Sequence, residues 1–167
     1  MNSFAEDAAA SAAYFSAVAQ VSGALVGLVF VALTFNPKAL GADGHPALRS
    51  LARQTFDDFL LVLVASLLLL IPHIPPHGVG ASLIALSGRG DLRLIQDFRR
   101  NRERSWWMAQ RIGLSLFGQS GVLVAGAMLL YPGFSPSTLW LTLNCSVLVL
   151  LLAGSRTAWL LLVGSPD

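Results

Sequence analysis

The stretch "IGLSLFGQSGVLVAGAMLLYPGFSPSTLWLTLNCSVLVLLLAGS", residues 112–155, contains no Asp, Glu, Lys or Arg. A helix that crosses a bilayer needs about 20 mostly apolar residues, so this stretch is long enough for two such helices. Its centre, "YPGFSPS", combines two prolines with a glycine and therefore predicts a turn. The stretch thus predicts a hairpin of two membrane-spanning helices.

The composition of the whole chain also favours a bilayer as the surrounding medium. Of the 167 residues, 54% are hydrophobic and 12% are charged, against about 25% charged in an average soluble domain. The net charge of +2 is too small to predict a nucleic-acid partner. The single cysteine, Cys145, excludes an internal disulfide and lies in an apolar run, where we expect a small buried hydrophobic residue.

Two further stretches, residues 8–37 and 59–88, also lack charged side chains. The first predicts one span, retained in the mature protein because acidic residues precede it where a secretory signal carries basic ones. The second contains "IPHIPPHG", whose prolines cannot continue a helix and predict a turn. If both arms of this turn cross the bilayer, the chain has five spans. If they do not, it has four, with residues 76–105 on the membrane surface.

The 11 basic residues favour five spans, because Lys and Arg concentrate in cytoplasmic loops. With five spans and an external N-terminus, all of them lie inside; with four, Lys38, Arg49 and Arg53 lie outside. We therefore predict an all-α integral membrane protein, a single multi-pass domain that forms a bundle of five transmembrane helices with a short third helix and a cytoplasmic C-terminus. The predicted spans cover residues 12–36, 56–75, 78–95, 107–131 and 138–161, and the inner basic loops cover residues 37–55 and 96–106.

The start of the second span carries two acidic residues, Asp57 and Asp58. Thr55 and Asp58 have the spacing of a capping box, and negative charge is favourable at a helix N-terminus. We expect these carboxylates to cap the helix and to pair with Arg53 or Arg111. The alternative is that they belong to a proton or cation path at the inner mouth of the bundle.

The stretch "DFRRNRERSWW", residues 97–107, places a group of arginines directly before two tryptophans. Such a group is typical of a loop that is held in the cytoplasm. The alternative is a dedicated contact with anionic lipid or with another membrane protein. The arginines concerned are Arg99, Arg100, Arg102 and Arg104.

Small and polar residues recur along the first span at spacings of three and four, so they form one stripe on a helix. Membrane helices associate through such residues because small side chains let two backbones approach closely. The stripe is therefore predicted to be a packing seam between helices, or the water-lined face of a pore in an oligomer. Its members are Ser16, Gln20, Gly23, Gly27, Phe30 and Thr34.

The fourth span has a similar stripe, which consists of Gln110, Gly113, Phe117, Gly121 and Met128. Gln119 lies nearby, and an amide inside a membrane needs a hydrogen-bond partner. Gln20 and Gln119 can each find this partner in the other, in a second copy of the chain or in water. The residues expected to pack or to line a pore in the two spans thus include Gln119 and Gly121.

The sequence favours no enzyme and no cofactor. "GQSG", residues 118–121, resembles the G-x-S-G pattern around the nucleophilic serine of rhomboid intramembrane proteases, in which a histidine on a later span activates the serine. The last predicted span here contains no histidine, so Ser120 lacks the base that this chemistry requires.

His73 and His77 are separated by two prolines that break the helical register, and we expect no metal there.

The first span, "YFSAVAQVSGALVGLVFVALTFNPKAL", resembles the opening helix of small bacterial multi-pass membrane proteins that share a GALxGLxFVAL-like segment ending in Asn. The resemblance implies a bacterial inner-membrane location and a role as a modulator of membrane proteases. Together with the stripes, it leads us to expect a non-enzymatic homo-oligomer that forms a pore, or alternatively a non-conducting scaffold for another membrane protein.

Overall fold

The computed structural model describes residues 2–35, 46–72, 74–101, 106–131 and 133–163. Throughout these ranges the regular secondary structure is α-helical, without a strand. The helices are α1 (Asn2–Phe35), α2 (Pro46–Leu70), α3 (Pro76–Asn101), α4 (Trp106–Leu130) and α5 (Pro136–Val163). The predicted all-α fold is confirmed, whereas the expected burial of Cys145 is wrong, because this residue lies on an exposed face of α5.

Both proline-rich turns lie between helices, as the sequence predicts. α2 ends at Leu70, and α3 begins at Pro76. α5 begins at Pro136, directly after Ser135, whose Oγ accepts a hydrogen bond from the backbone N–H of Thr138 at 3.3 Å. A serine cap followed by proline at the first helical position satisfies one of the free N–H groups at the start of a helix.

The predicted capping box at Thr55 and Asp58 is wrong, because α2 begins at Pro46 and both residues lie well inside the helix. The Thr55 hydroxyl donates a hydrogen bond to the carbonyl oxygen of Leu51 at 2.9 Å, which is the usual behaviour of threonine within a continuing helix. The predicted inner loop 37–55 is therefore helical from Pro46 onward. Likewise, α3 continues through Asn101, beyond the predicted end of the third span at residue 95.

The helices pack in the spatial order α1, α2, α5, α4, α3, so α2 and α5 are neighbours although they are distant in the sequence. The buried apolar side chains form two clusters: a large one, in which Leu83, Leu143 and Leu150 are fully buried, and a small one of Val29, Phe59 and Ala158. α1 lies at one end of this order and contacts mainly α2. One face of α1 is therefore left uncovered by the other four helices that the structure describes.

Three of the helices contain segments that are long and apolar enough to cross a membrane, namely Ala10–Phe35, Ile112–Leu130 and Pro136–Trp159. α2 and α3 contain long apolar parts as well, but their charged residues interrupt them. A membrane location is thus compatible with the length and composition of these three helices.

Candidate functional site

A buried carboxylate on α2, that of Asp58, is the centre of the candidate site. Asp58 is 1% exposed, and it lies on the face of α2 that also buries Thr55 and Phe59. Residues at spacings of three and four share one face of a helix, which explains why these neighbours are buried together. The chain therefore places an acidic side chain in its apolar core, where polar groups are stable only when they have partners.

The partners of Asp58 come from α4. The Ser115 hydroxyl donates a hydrogen bond to Oδ2 at 2.6 Å, and Nε2 of Gln119 donates to Oδ1 at 2.8 Å. Ser115 and Gln119 are one helical turn apart on α4, so both face α2 and each takes one carboxylate oxygen. The three side chains are all at most 2% exposed. The carboxylate is therefore clamped between two uncharged donors in the protein interior.

Among the side chains that the structure describes, which do not include that of Arg111, none with a positive charge contacts this carboxylate. The hydrogen bonds from Ser115 and Gln119 are the polar contacts that the structure gives Asp58 there, and neither donor carries a charge. Isolated charge in an apolar medium is strongly unfavourable unless it is paired or neutralised. A carboxylate with two neutral donors thus has its hydrogen bonds satisfied but not its charge.

The amide of Gln119 connects this pair to a third helix. Its Oε1 atom is buried and accepts no hydrogen bond from the residues that the structure describes. It lies against Gly90 of α3, so closely that a side chain at position 90 would overlap with it. The single amide of Gln119 thus links the carboxylate of α2 to the backbone of α3.

Next to this junction, Asp91 of α3 also carries a buried oxygen, Oδ1, for which the described part of the chain supplies no hydrogen-bond partner. α2 and α3 touch each other only slightly. The side chain of Gln119 thus contacts both Asp58 of α2 and the backbone of α3 beside Asp91.

The predicted stripe of the first span lies on the outer surface of the chain. Gln20 is exposed, and its Nε2 donates to Oγ of Ser16 at 3.4 Å. Thr34 is also exposed, and its hydroxyl donates to the carbonyl oxygen of Phe30 within the same helix. A side chain at Gly27 would meet no atom within 4 Å. The stripe therefore does not form a seam along its length within one chain.

Two members of the stripe do meet α2: a Cβ atom added at Gly23 would lie 4.0 Å from Cδ1 of Leu63, and the ring of Phe30 packs against that of Phe56. The proposed pairing of Gln20 with Gln119 is absent within the chain, because Gln20 is exposed whereas Gln119 is buried against Asp58. On α4, Gly121 packs against the Ser146 side chain of α5. Gly121 is thus part of an intramolecular seam.

Ser120, the serine of the "GQSG" pattern, is exposed and donates its hydroxyl hydrogen to the carbonyl oxygen of Phe117 at 3.0 Å. His77 is exposed at the start of α3, whereas His73 and His45 lie outside the described residues. In the part of the chain that the structure describes, no group of three metal-binding side chains occurs.

The arginine cluster falls partly within the helices. Arg99 and Arg100 lie in the last turn of α3, and Arg102 and Arg104 lie outside the described residues. The cluster therefore begins on a helix instead of in a loop. The contacts proposed for it with anionic lipid or with another membrane protein remain predictions.

The contact of Asp58 with Ser115 and Gln119 did not emerge from the sequence. The sequence indicated a helix cap, or part of a proton or cation path, for Asp58, and it left the partner of Gln119 open. A signal was present, because Ser115 and Gln119 are four positions apart in an otherwise apolar span. This spacing presents two donors on one helix face.

Comparison with known proteins finds no matching family, no matching curated protein and no matching solved structure. The fold and the site define the class of the protein only broadly: an α-helical chain with three helices able to cross a membrane and a hydrogen-bonded carboxylate in its core. Its function has to be inferred from its own residues.

Proposed function

We propose that the chain is a non-enzymatic multi-pass protein of a bacterial inner membrane that assembles with copies of itself through the exposed face of α1. The observation that carries this proposal is the position of Gln20, which is exposed on the outside of the apolar segment Ala10–Phe35. An amide has two donor hydrogens and an acceptor oxygen, and Gln20 makes one long hydrogen bond, to Ser16. In lipid, the remaining groups need partners, which a second copy can supply.

The small residues of the same face support close contact between copies. Gly27 and its neighbourhood are open, so another helix can approach the α1 backbone there. Phe30 is 57% exposed, and its ring forms a T-shaped contact with the ring of Phe56 of α2, with ring centroids 5.4 Å apart. An apolar ring beside an open glycine offers a ridge next to a groove, which is the surface that helix packing in membranes uses.

For the threading we propose five spans, with the N-terminus outside and the C-terminus in the cytoplasm. α2 has 25 residues and α3 has 26. At a rise of 1.5 Å per residue each is about 38 Å long, which exceeds a hydrocarbon thickness of about 30 Å. The charged residues lie between the inner end and the middle of each helix, at positions 49–58 of α2 and 89–100 of α3, which supports the orientation. Reporter fusions at residues 45 and 133 test it, with the former expected inside and the latter outside.

The assembly is tested by Gly27→Ile, with Leu28→Ile as the matched control. Both positions are exposed on α1, and a Cβ atom added at Gly27 would meet nothing within 4 Å in a single chain. We expect Gly27→Ile to convert the oligomer to smaller species in detergent and in vesicles, measured by light scattering and by energy transfer between labelled copies. The control is expected to retain the assembly, and equal masses for all three proteins would reject the α1 interface.

The oligomer can serve as a pore whose axis is lined by the polar residues of the stripe, Ser16, Gln20 and Thr34. In that case, vesicles that contain the protein conduct ions, and Gln20→Leu lowers the flux.

The alternative function is a non-conducting scaffold or modulator of another membrane protein, such as a membrane protease. The position of Arg99 and Arg100 in the last turn of α3 supports it, because clustered basic residues beside a span are typical of a contact with anionic lipid or with a partner. If the chain is a scaffold, replacing the arginines of the cluster with uncharged residues is expected to remove a co-purifying partner. Neither the wild type nor this variant is then expected to conduct ions.

A further inference from the structure

Assembly through α1 does not account for the buried carboxylate of Asp58. It lies on α2 in the core, away from the exposed face of α1, and both of its oxygens are directed at α4. Packing alone does not need a carboxyl group here, because an apolar side chain of similar size fills such a site at lower cost. The acidic group is therefore better explained by something that it binds.

The geometry points to a proton as the ligand: we propose that Asp58 is a reversible proton-binding site inside the bundle. Binding converts the carboxylate and a hydronium ion into a neutral carboxyl group and water, with the new O–H bond formed at Oδ2. The neutral form removes the uncompensated charge from the apolar core. The proposal is independent of the oligomer and of the pore.

Ser115 allows this exchange to occur without moving a helix. A hydroxyl group can donate or accept, so the same 2.6 Å contact accommodates both states. When Asp58 is charged, Ser115 donates to Oδ2; when Asp58 carries the proton, Oδ2–H donates to the Ser115 oxygen. The serine hydrogen can then turn to the backbone carbonyl one turn earlier in α4. Gln119 donates to Oδ1 in both states.

A metal ion fits the same residues less well. The amide group that faces Asp58 is the donor side of Gln119, Nε2, which repels a cation. Oε1, the oxygen that could serve as a ligand, faces Gly90 on the other side. A cation would therefore require the amide to turn over against a backbone that leaves it no room, whereas a proton requires only the rotation of a hydroxyl hydrogen.

The charged and titratable groups on the packed helices define the controls. On α2, the neighbour of Asp58 is Asp57; on α3, Asp91 follows the glycine that touches Gln119. On α4, Arg111 lies one turn before Ser115 in the sequence. Around the adjacent Phe59, α1 and α5 contribute the apolar side chains of Val29 and Ala158. Asp57 and Asp91 are thus the groups to distinguish from Asp58, and Arg111 is the basic residue whose pairing with Asp58 would exclude a bound proton.

The test is infrared difference spectroscopy of the full chain in lipid while the pH of the buffer is raised. A protonated carboxyl group has a C=O absorption that a carboxylate lacks. We expect the wild type to show this absorption in mildly acidic buffer and to lose it reversibly as the pH is raised through neutral into the alkaline range. Asp58→Asn is expected to lack the change, whereas Asp57→Asn and Asp91→Asn are expected to retain it.

A second variant keeps the test decisive if Asp58→Asn does not fold. In Ser115→Ala the carboxyl group remains but loses one hydrogen bond, so the C=O absorption is expected to persist at a higher frequency. An absorption that Ser115→Ala does not move, or that Asp58→Asn retains, belongs to another group and overturns the proposal. The absence of any protonated-carboxyl signal in the wild type also overturns the proposal. This is the result expected if an ion pair with Arg111 keeps Asp58 permanently charged. A signal that does not respond to alkaline buffer equally rejects reversible binding.

Discussion

A side chain added at Gly80 of α3 would place its Cβ atom 2.7 Å from the backbone carbonyl oxygen of Gly126 of α4. The reverse approach, from Gly126 to the carbonyl oxygen of Gly80, is 3.0 Å. The two helices therefore cross with backbone against backbone. Such close approach maximises van der Waals contact in a membrane, where burial of apolar area gives helices little reason to associate.

Gly80→Ala is therefore expected to destabilise the protein by about 1 to 3 kcal/mol, because the clash is with backbone atoms that cannot rotate away. The matched control is Gly78→Ala on the same helix, where an added Cβ would find side-chain atoms at an ordinary 3.6 Å. Reversible unfolding in mixed micelles measures both. If Gly78→Ala and Gly80→Ala lose the same stability, the effect comes from α3 as a whole and not from the crossing.

Gly90→Ala is expected to displace Gln119 from Asp58, since the new methyl group would occupy the position of Oε1. The control is Gly88→Ala, two residues earlier, where a side chain would meet nothing within 4 Å. This control is expected to be neutral or to stabilise the helix by up to about 1 kcal/mol, because alanine favours a helix over glycine. The unfolding free energies of both variants decide between these outcomes, and a Gly90→Ala protein as stable as the wild type would show that the amide has room to move.

Gln119→Leu is expected to destabilise the chain by about 1.5 to 3 kcal/mol, the range for loss of a hydrogen bond to a charged group. Leucine is similar in size to glutamine, so the loss measures the hydrogen bond to Oδ1 of Asp58 more than packing. The control is Gln20→Leu, which removes an exposed amide with one weak hydrogen bond within α1. Measured on dissociated single chains, the control is expected to change the unfolding free energy by less than about 0.5 kcal/mol; a larger loss there would contradict the distinction between the two glutamines.

The sequence located the helices better than it located the site, for a physical reason. The lengths of the charge-free stretches and the proline turns gave α4 as residues 107–131, against Trp106–Leu130 in the structure, and α5 as residues 138–161, against Pro136–Val163. Helix length and breakers are local properties of the chain. The start of α2 was misjudged because Thr55 and Asp58 match a cap by spacing alone, although Pro46 is itself a favourable first helical residue.

The contact of Asp58 with Ser115 could not be derived in the same way. The two residues are 57 positions apart, and their contact depends on which helices are neighbours and how each is rotated. Small residues indicated one packing face on α1 and one on α4. They did not indicate whether each face packs within the chain or lies on its outside. Gly121 therefore packs within the chain against Ser146, whereas the similar stripe of α1 faces outward with Gly27 open.

The packing of α2 on α5 is tested by Gly154→Ala in combination with Phe59→Leu. An added Cβ at Gly154 would lie 2.5 Å from Cε1 of Phe59, a ring that is completely buried and cannot swing into solvent. Gly154→Ala alone is expected to cost about 1 to 3 kcal/mol of stability through overpacking, and Phe59→Leu alone is expected to cost a similar amount through the space that it leaves. In the double variant the methyl group enters that space, so the combined loss is expected to be smaller than the sum by at least about 0.5 kcal/mol.

Gly113→Ala, at an open position on α4, serves as the additive control with Phe59→Leu. Strict additivity of Gly154→Ala and Phe59→Leu would mean that the two residues do not share this contact in the folded protein.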